Sequence, residues 1–568
     1  MPSFKYNLSN RIKLQDFAKL IKTIPVLDFV LLVLCFSLIF ESTLAFGFKI
    51  DRYLIRSTLA DVAIFVLLCG YFSRRIGLLY AAFWAMLGIA YAPVGELYGL
   101  PDQNAIESAL NTDLSEALGF LSMAPVTSYI KMGLILILFI LIFVLILNQK
   151  NHFSSPVMRK GAWLVLVGMT AMSAVKAISN KDWQFMEVRL NEVKISNTFL
   201  DAYRKIDKNN QIRSLFALNS SWKLSPVMGT RIPDCDICVL VMGESVRRDF
   251  LGVYGAPWDN TPWMSKSPGL LFENYLSASQ VTISSLGISL FAPTFSSLAP
   301  WGDNIITLAK KAGYYTSWIS IQTQHSDIDT PISKVGDYAD YVKYVHQEVN
   351  YDQRDDRDLL PYFKETLKNK SKKHFIFLHL YNSHPVVCDR TKGEYKEWFM
   401  SKELSCYIET VRRTDELLSV IQNLLKNKTE SNGLKWGMLY MADHGLGFYS
   451  TPDGYILRHL NNTSQQAFEP PFFITGSGWK EKRAIKSRRS GIYLTQIIGA
   501  WLGYDVSVDE GRYTNGHADL SNCDWFADVP CERQNLIKPF DRDVTNINAY
   551  PSYSLKDFIR EPKADGAF

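Results

Sequence analysis

Three polar clusters in the C-terminal part of this 568-residue sequence carry side chains able to hold a divalent cation: Gly243-Glu244-Ser245, Asn382-Ser383-His384 and Asp443-His444-Gly445. Glu244, Asp443 and His444 offer two carboxylates and an imidazole, a borderline donor set that suits zinc and is one ligand short of a tetrahedron. A hydroxyl on the same ion would complete it. Coordination lowers the pKa of such a hydroxyl and makes an alkoxide available at neutral pH, while the ion offsets charge developing on a transferring phosphoryl group. The segment Ser277 to Ser289 is the natural source, with Ser277, Ser279, Thr282, Ser284, Ser285 and Ser289 in a loop-to-helix context. Pattern alone leaves all six open.

These clusters need elements that bring them to one place. Each follows a short apolar run, Ile237 to Met242, Phe375 to Leu380 and Trp436 to Met441, which reads as a buried parallel strand. In open α/β sheets ligands sit beyond the carboxyl ends of the strands, so the three clusters are expected along one edge. Taken singly each is weak, because a Glu after a strand is commonly a helix cap and a lone Asp-His commonly a solvated loop. Their shared position is the signal. His325, His346, His374, His379 and His517 sit in no comparable context.

The rest of the chain explains where such a sheet would work. Up to about residue 180 the sequence is a series of apolar runs, and from about residue 231 short apolar strands alternate with polar helical stretches. Five membrane spans are expected: Val26 to Phe46, Leu59 to Phe72, Ile76 to Ala92, Met132 to Leu147 and Gly161 to Ile178. Soluble domains seldom carry five such runs in succession, and no small-residue cleavage site follows the first, which argues against a signal peptide. Lys5, Arg11, Lys13, Lys19 and Lys22 precede the first span, Arg74 and Arg75 separate the second from the third, and Lys150, Arg159 and Lys160 separate the fourth from the fifth. The opposite side holds Lys49, Arg52 and Arg56 and the connection from Pro93 to Tyr129, which lacks basic residues. The N-terminus is therefore expected in the cytoplasm and, with an odd number of spans, the C-terminal part beyond the membrane. The net charge of +5 is small for this length, and no basic stripe points to nucleic acid.

Cysteine usage agrees with an oxidising compartment. Cys35 and Cys69 fall in the spans, and Cys235, Cys238, Cys388, Cys406, Cys523 and Cys531 remain for three disulfides, paired by nearness in sequence as 235–238, 388–406 and 523–531. The competing reading of Cys235 and Cys238 as half a zinc site lacks a second Cys pair at ribbon spacing.

At these residues the sequence resembles the phosphoethanolamine transferases that decorate bacterial surface glycans, within the alkaline phosphatase and sulfatase superfamily. The resemblance rests on the five spans, on GESVRRDFLGVYGAPWDNTPWM at Gly243 to Met264, on VTISSLGISLF at Val281 to Phe291, on LHLYNSHP at Leu378 to Pro385, on ADHG at Ala442 to Gly445 and on YILRH before PPFF. It implies an α-helical multi-span membrane domain over 1–180, interfacial or bridging helices over 181–230, and an α/β/α sulfatase-like catalytic domain with a mostly parallel sheet over 231–568. It implies a Zn2+ site formed by Glu244, Thr282, Asp443 and His444, with Thr282 taking the phosphoethanolamine group. His384 and His459 match family histidines that face the transferred phosphate, although Arg458-His459-Leu460 departs from the usual Leu-His-Gly.

The implied enzyme sits in the bacterial inner membrane with its catalytic domain in the periplasm. It would take phosphoethanolamine from phosphatidylethanolamine and pass it to an envelope glycan, lipopolysaccharide or periplasmic glucan. The GESVRRD and DNTPWM segments look closer to the glycan-modifying branch than to the lipid A branch. A related phosphodiester hydrolase or glycerol-phosphate transferase would use the same core. A sulfatase would carry a Cys-x-Pro-x-Arg type motif, which the hydroxyl segment lacks, and a non-catalytic sensor would have lost part of the metal set.

Overall fold

A computed structural model describes residues 26–100, 124–148, 156–180, 190–215, 220–227, 232–293, 302–322, 331–346, 354–451, 454–458, 464–508, 523–531, 536–537 and 545–556, together with 106, 117 and 119–121 and without 49, 382 and 553. His325, His459 and His517 lie outside the described residues. By internal contacts the chain forms two compact units, residues 1–102 with 124–203, and 103–123 with 204–568.

The first unit is helical. Helix α1 runs Val26–Ala45, α2 Arg52–Leu67, α3 Arg74–Tyr98, α4 Val126–Asn148 and α5 Pro156–Asn180. Local signals set the ends. The Asp51 carboxylate accepts from the Tyr53 and Leu54 amides at 2.9 and 2.8 Å to cap α2, and Ser73 caps α3, which stops at Gly99, where φ is +72°. Among the described residues four helices are long and apolar enough to cross a membrane, Val26–Ala45, Arg52–Phe72, Arg74–Glu96 and Val126–Asn148. The fifth expected run lies within α5, part of which falls outside the described side chains.

Helix α6, Asn191–Leu215, occupies the segment read as bridging, and the division between the two units falls inside it. Its first turn is tied to the membrane helices. The Asn191 side chain accepts from Ser57 Oγ at 2.7 Å and donates to Asp61 Oδ2 at 2.8 Å, and Tyr80 donates to Glu192.

The second unit is built on an eight-stranded sheet. In chain order its strands are β1 Ile237–Gly243, β2 Gly269–Phe272, β3 Tyr315–Ser320, β4 Tyr341–Tyr344, β5 His374–His379, β6 Trp436–Ala442, β7 Phe472–Gly476 and β8 Lys482–Ile485, arranged β8-β2-β7-β6-β1-β5-β3-β4. All neighbours are parallel except β7, which runs antiparallel to both β2 and β6. The three strands expected from sequence are the central ones. Every residue of β1, β5 and β6 is buried, as parallel strands covered on both faces must be. Cys238, Leu240 and Met242 enter one core with Phe375, Phe377, Leu439 and Met441, whereas Ile237, Val239 and Val241 enter the other with Ile376, Leu378, Met438 and Tyr440.

Two helices matter for the site. Helix α7 covers Thr282–Ser289, and the 29-residue α8 covers Lys402–Glu430, burying Leu404, Val411, Leu418, Ile421 and Leu425 at helical spacing. The disulfides Cys235–Cys238, Cys388–Cys406 and Cys523–Cys531 are all formed, as nearness in sequence predicts.

Candidate metal and nucleophile site

Strand register explains why residues so distant in sequence meet. Gly243, the last residue of β1, pairs with Ala442, the last of β6, and Met242 pairs with His379 of β5. The next residues, Glu244 and Asp443, therefore leave the sheet side by side at its carboxyl edge. The Glu244, Asp443 and His444 donor atoms lie within 4.8 Å of one another, and all three residues are buried. His444 Nε2 stands 3.3 Å from Asp443 Oδ2 and 3.7 Å from Glu244 Oε1.

Of the six hydroxyls left open by the sequence, the fold sets that of Thr282 among these donors. Thr282 begins α7 half-buried, with Oγ1 3.1 and 3.3 Å from the two Glu244 oxygens and 3.2 Å from His444 Nε2. Others face elsewhere: Ser285 Oγ donates to the Asp443 carbonyl at 2.6 Å, and Ser277 Oγ to the Ser279 carbonyl at 2.6 Å.

The supporting bonds leave one side of the cluster open. Asp443 Oδ1 accepts from the Ser245 and His444 amides at 2.9 and 2.8 Å, while its Oδ2 is buried with no hydrogen-bond partner. The Ser245 amide reaches Oδ1 from a left-handed turn, φ 58°, whose carbonyl accepts from Tyr407 on α8 at 2.8 Å. His444 Nδ1 donates to the Gly445 carbonyl at 2.6 Å, which puts the proton on that nitrogen and leaves the Nε2 lone pair facing the carboxylates. Gly445 is required here, since a Cβ would stand 2.1 Å from the Gln466 carbonyl oxygen.

Electrostatics point the same way. Burial, then the adjacent Asp443 carboxylate, pushes Glu244 up to about 8, burial pushes Asp443 up to about 6, and burial lowers His444. Two adjacent buried carboxylates, one oxygen of Asp443 unpartnered, and an imidazole lone pair turned inward fit a divalent cation. Glu244, Asp443, His444 and the Thr282 hydroxyl are the residues that would hold it.

His384 lies past the end of β5, in a turn in which its amide donates to the Tyr381 carbonyl at 3.1 Å. Burial, then the Arg390 guanidinium, pushes its imidazole down to about 3, so the ring is neutral at physiological pH. Gln322 escaped the sequence reading, which named Ser245 only as a neighbour of Glu244. Gln322 donates to Glu244 Oε2 at 3.0 Å and to the Leu380 carbonyl at 3.1 Å, and Ser245 Oγ donates to Glu244 Oε1 at 2.6 Å. Gln322 follows β3, whose Ser320 pairs with His379, so the strand-end argument used for the other clusters would have reached it.

Comparisons with known proteins agree with this architecture. A family model described as Sulfatase matches residues 237–504. The chain is 31% identical over 450 residues to the phosphoethanolamine transferase OpgE of Escherichia coli K12, covering 76% of this chain and 80% of that protein. It is 30% identical over 377 residues to a putative phosphoethanolamine transferase of Haemophilus influenzae, covering 64% and 72%. Among solved structures, the integral membrane lipooligosaccharide phosphoethanolamine transferase A of Neisseria meningitidis superposes with a TM-score of 0.52 at 14% identity, over 84% of this chain and 97% of that one, a likeness of fold.

Proposed function

We propose, for a chain that belongs to the membrane-anchored phosphoethanolamine transferases of the alkaline phosphatase and sulfatase superfamily, that Thr282 is the residue that carries the phosphoethanolamine group between donor and acceptor. The observation behind this reading is the Thr282 hydroxyl, 3.1 Å from Glu244 and 3.2 Å from His444 Nε2 at the open side of the donor cluster. Glu244, Thr282, Asp443 and His444 would hold a zinc ion, which would lower the hydroxyl pKa and stabilise negative charge on the transferring phosphoryl group.

The reaction runs in two displacements. The Thr282 oxygen attacks the phosphorus of phosphatidylethanolamine, the bond from phosphorus to the diacylglycerol oxygen breaks, and that oxygen takes a proton. A hydroxyl or phosphate of an envelope glycan then attacks the same phosphorus, and the bond to Thr282 breaks, restoring the alcohol. Placement at the first position of α7 favours the anionic form of Thr282. His384 and His459 hold phosphate oxygens or exchange protons with the leaving and entering oxygens.

Five spans hold the protein in the inner membrane, so that the catalytic domain, 231–568, meets the donor headgroup from the periplasm with 181–230 as the bridge. Tethering keeps the site at the level of its lipid substrate. Intact-mass analysis tests the reading: wild-type protein given phosphatidylethanolamine should carry a phosphoethanolamine adduct that maps to Thr282. An adduct on Ser284 or Ser285, or full activity of Thr282→Ala, would overturn it.

A further inference from the structure

Beside the metal-type cluster, the turn after β5 stacks two rings against each other. The Tyr381 and His384 rings are parallel to within 18° with centroids 4.6 Å apart, and Tyr381 Oη is 3.0 Å from His384 Nδ1. Nδ1 also contacts the carbonyl oxygen of Pro385. A carbonyl only accepts, so Nδ1 bears the ring proton and, in the neutral imidazole, Nε2 bears the lone pair.

Tyr381 is itself held on several sides. Its amide donates to Asp356 Oδ1 at 2.7 Å, and the guanidinium carbons of Arg390 and Arg354, both buried, lie 4.5 and 5.7 Å from its ring centroid. Ser383, between the two rings in sequence, hydrogen-bonds Thr410 on α8 at 2.9 Å and so ties the turn to a long rigid helix. This arrangement does more than fill a cavity, because the stacked tyrosine fixes the plane of its partner while the Pro385 carbonyl fixes the tautomer.

We infer that Tyr381, braced by Arg390 and Arg354, is a positioning residue that holds the His384 imidazole in one plane, so that Nε2 can accept a hydrogen bond from the entering hydroxyl during transfer. The inference rests on the reading that His384 takes part in the reaction. Burial, then the two guanidinium groups, disfavours the imidazolium, so the ring works as a neutral hydrogen-bond acceptor.

The test is a double-mutant cycle on the full-length enzyme in lipid, measuring kcat, KM for phosphatidylethanolamine, and metal content. Tyr381→Leu, which keeps apolar bulk but loses the flat face and the hydroxyl, should lower kcat about 10–100-fold at unchanged KM and metal content, the size expected from misplacing a reacting group. Tyr381→Phe, which restores the stacking face, should recover most of it. In Tyr381→Leu/His384→Ala the loss should be no larger than in His384→Ala alone. Losses that multiply, or a wild-type kcat for Tyr381→Leu, would overturn the inference. A wild-type kcat for His384→Ala would instead remove the reading beneath it. Should Tyr381→Leu fail to fold, Tyr381→His, flat but without the para-hydroxyl geometry, carries the same cycle with the same two outcomes.

Discussion

Gln322 donates to Glu244 Oε2 at 3.0 Å and, through the same amide nitrogen, to the carbonyl of Leu380 at 3.1 Å, so one side chain at the end of β3 ties the buried carboxylate to the exit of β5. A carboxylate so oriented presents one oxygen to the cluster without having to find it. Replacing Gln322 by Leu removes both donors at similar volume. Metal affinity should fall about 10–100-fold, as for other outer-shell partners, and competition with a chelator measures it.

Thr282 and the carboxylates should separate cleanly by metal content. Thr282→Ala leaves Glu244, Asp443 and His444 in place and should keep its metal while losing transfer. Glu244→Ala or Asp443→Ala removes an anionic ligand and should lose both. Elemental analysis of the purified variants beside the transfer assay distinguishes the two patterns. Retention of full metal by Asp443→Ala would contradict the ligand set.

Gly445→Ala forces a methyl group to 2.1 Å from the backbone oxygen of Gln466, and backbone on both sides cannot simply swing away. The carbonyl of Gly445 is the acceptor for His444 Nδ1, so any shift turns the imidazole. The variant should lose about 1–3 kcal/mol of stability and bind metal weakly. Thermal melting with and without added zinc reads both effects.

Acid stability should depend on His379. Burial pushes its imidazole down to about 3 from an ordinary 6.5, so the folded ring stays neutral where the unfolded ring takes a proton. A histidine with a lowered folded value contributes stability that is present above 6.5 and lost as pH falls through that range toward 3. The slope is about 1.4 kcal/mol per pH unit for one such group. His379→Asn should therefore show a shallower loss of stability between pH 6 and pH 4, whatever it costs at neutral pH; an unchanged slope would contradict the buried neutral ring.

The Cys388–Cys406 disulfide joins the segment after His384 to the second turn of α8, closing a loop of sequence separation 18. Replacing both by Ser should cost about 3 kcal/mol in the chain-entropy view. Since the same region seats Ser383 against Thr410, transfer activity should decline at temperatures where the wild type is still active.

Much of this protein is written locally. Apolar runs that end at Glu244, His384 and Asp443 identify the three central strands, because a strand buried on both faces is dominated by apolar residues until it leaves the sheet. The membrane helices and the cysteine pairs are likewise set by length, apolarity and short separation. Other features carry no local mark. The sequence holds six hydroxyls between Ser277 and Ser289, and their roles follow from the entry angle of α7 against the edge of β1 and β6, which turns Thr282 toward Glu244 and Ser285 toward the Asp443 carbonyl. Gln322, Ser245 and Tyr407 act through bonds to groups distant in the chain, and which strand of the mostly parallel sheet runs antiparallel, β7, is decided by the fold. Hydrophobic patterning says which residues leave water; strand register and helix packing then decide which polar atoms face one another, and those distances of about 3 Å are where the chemistry lies.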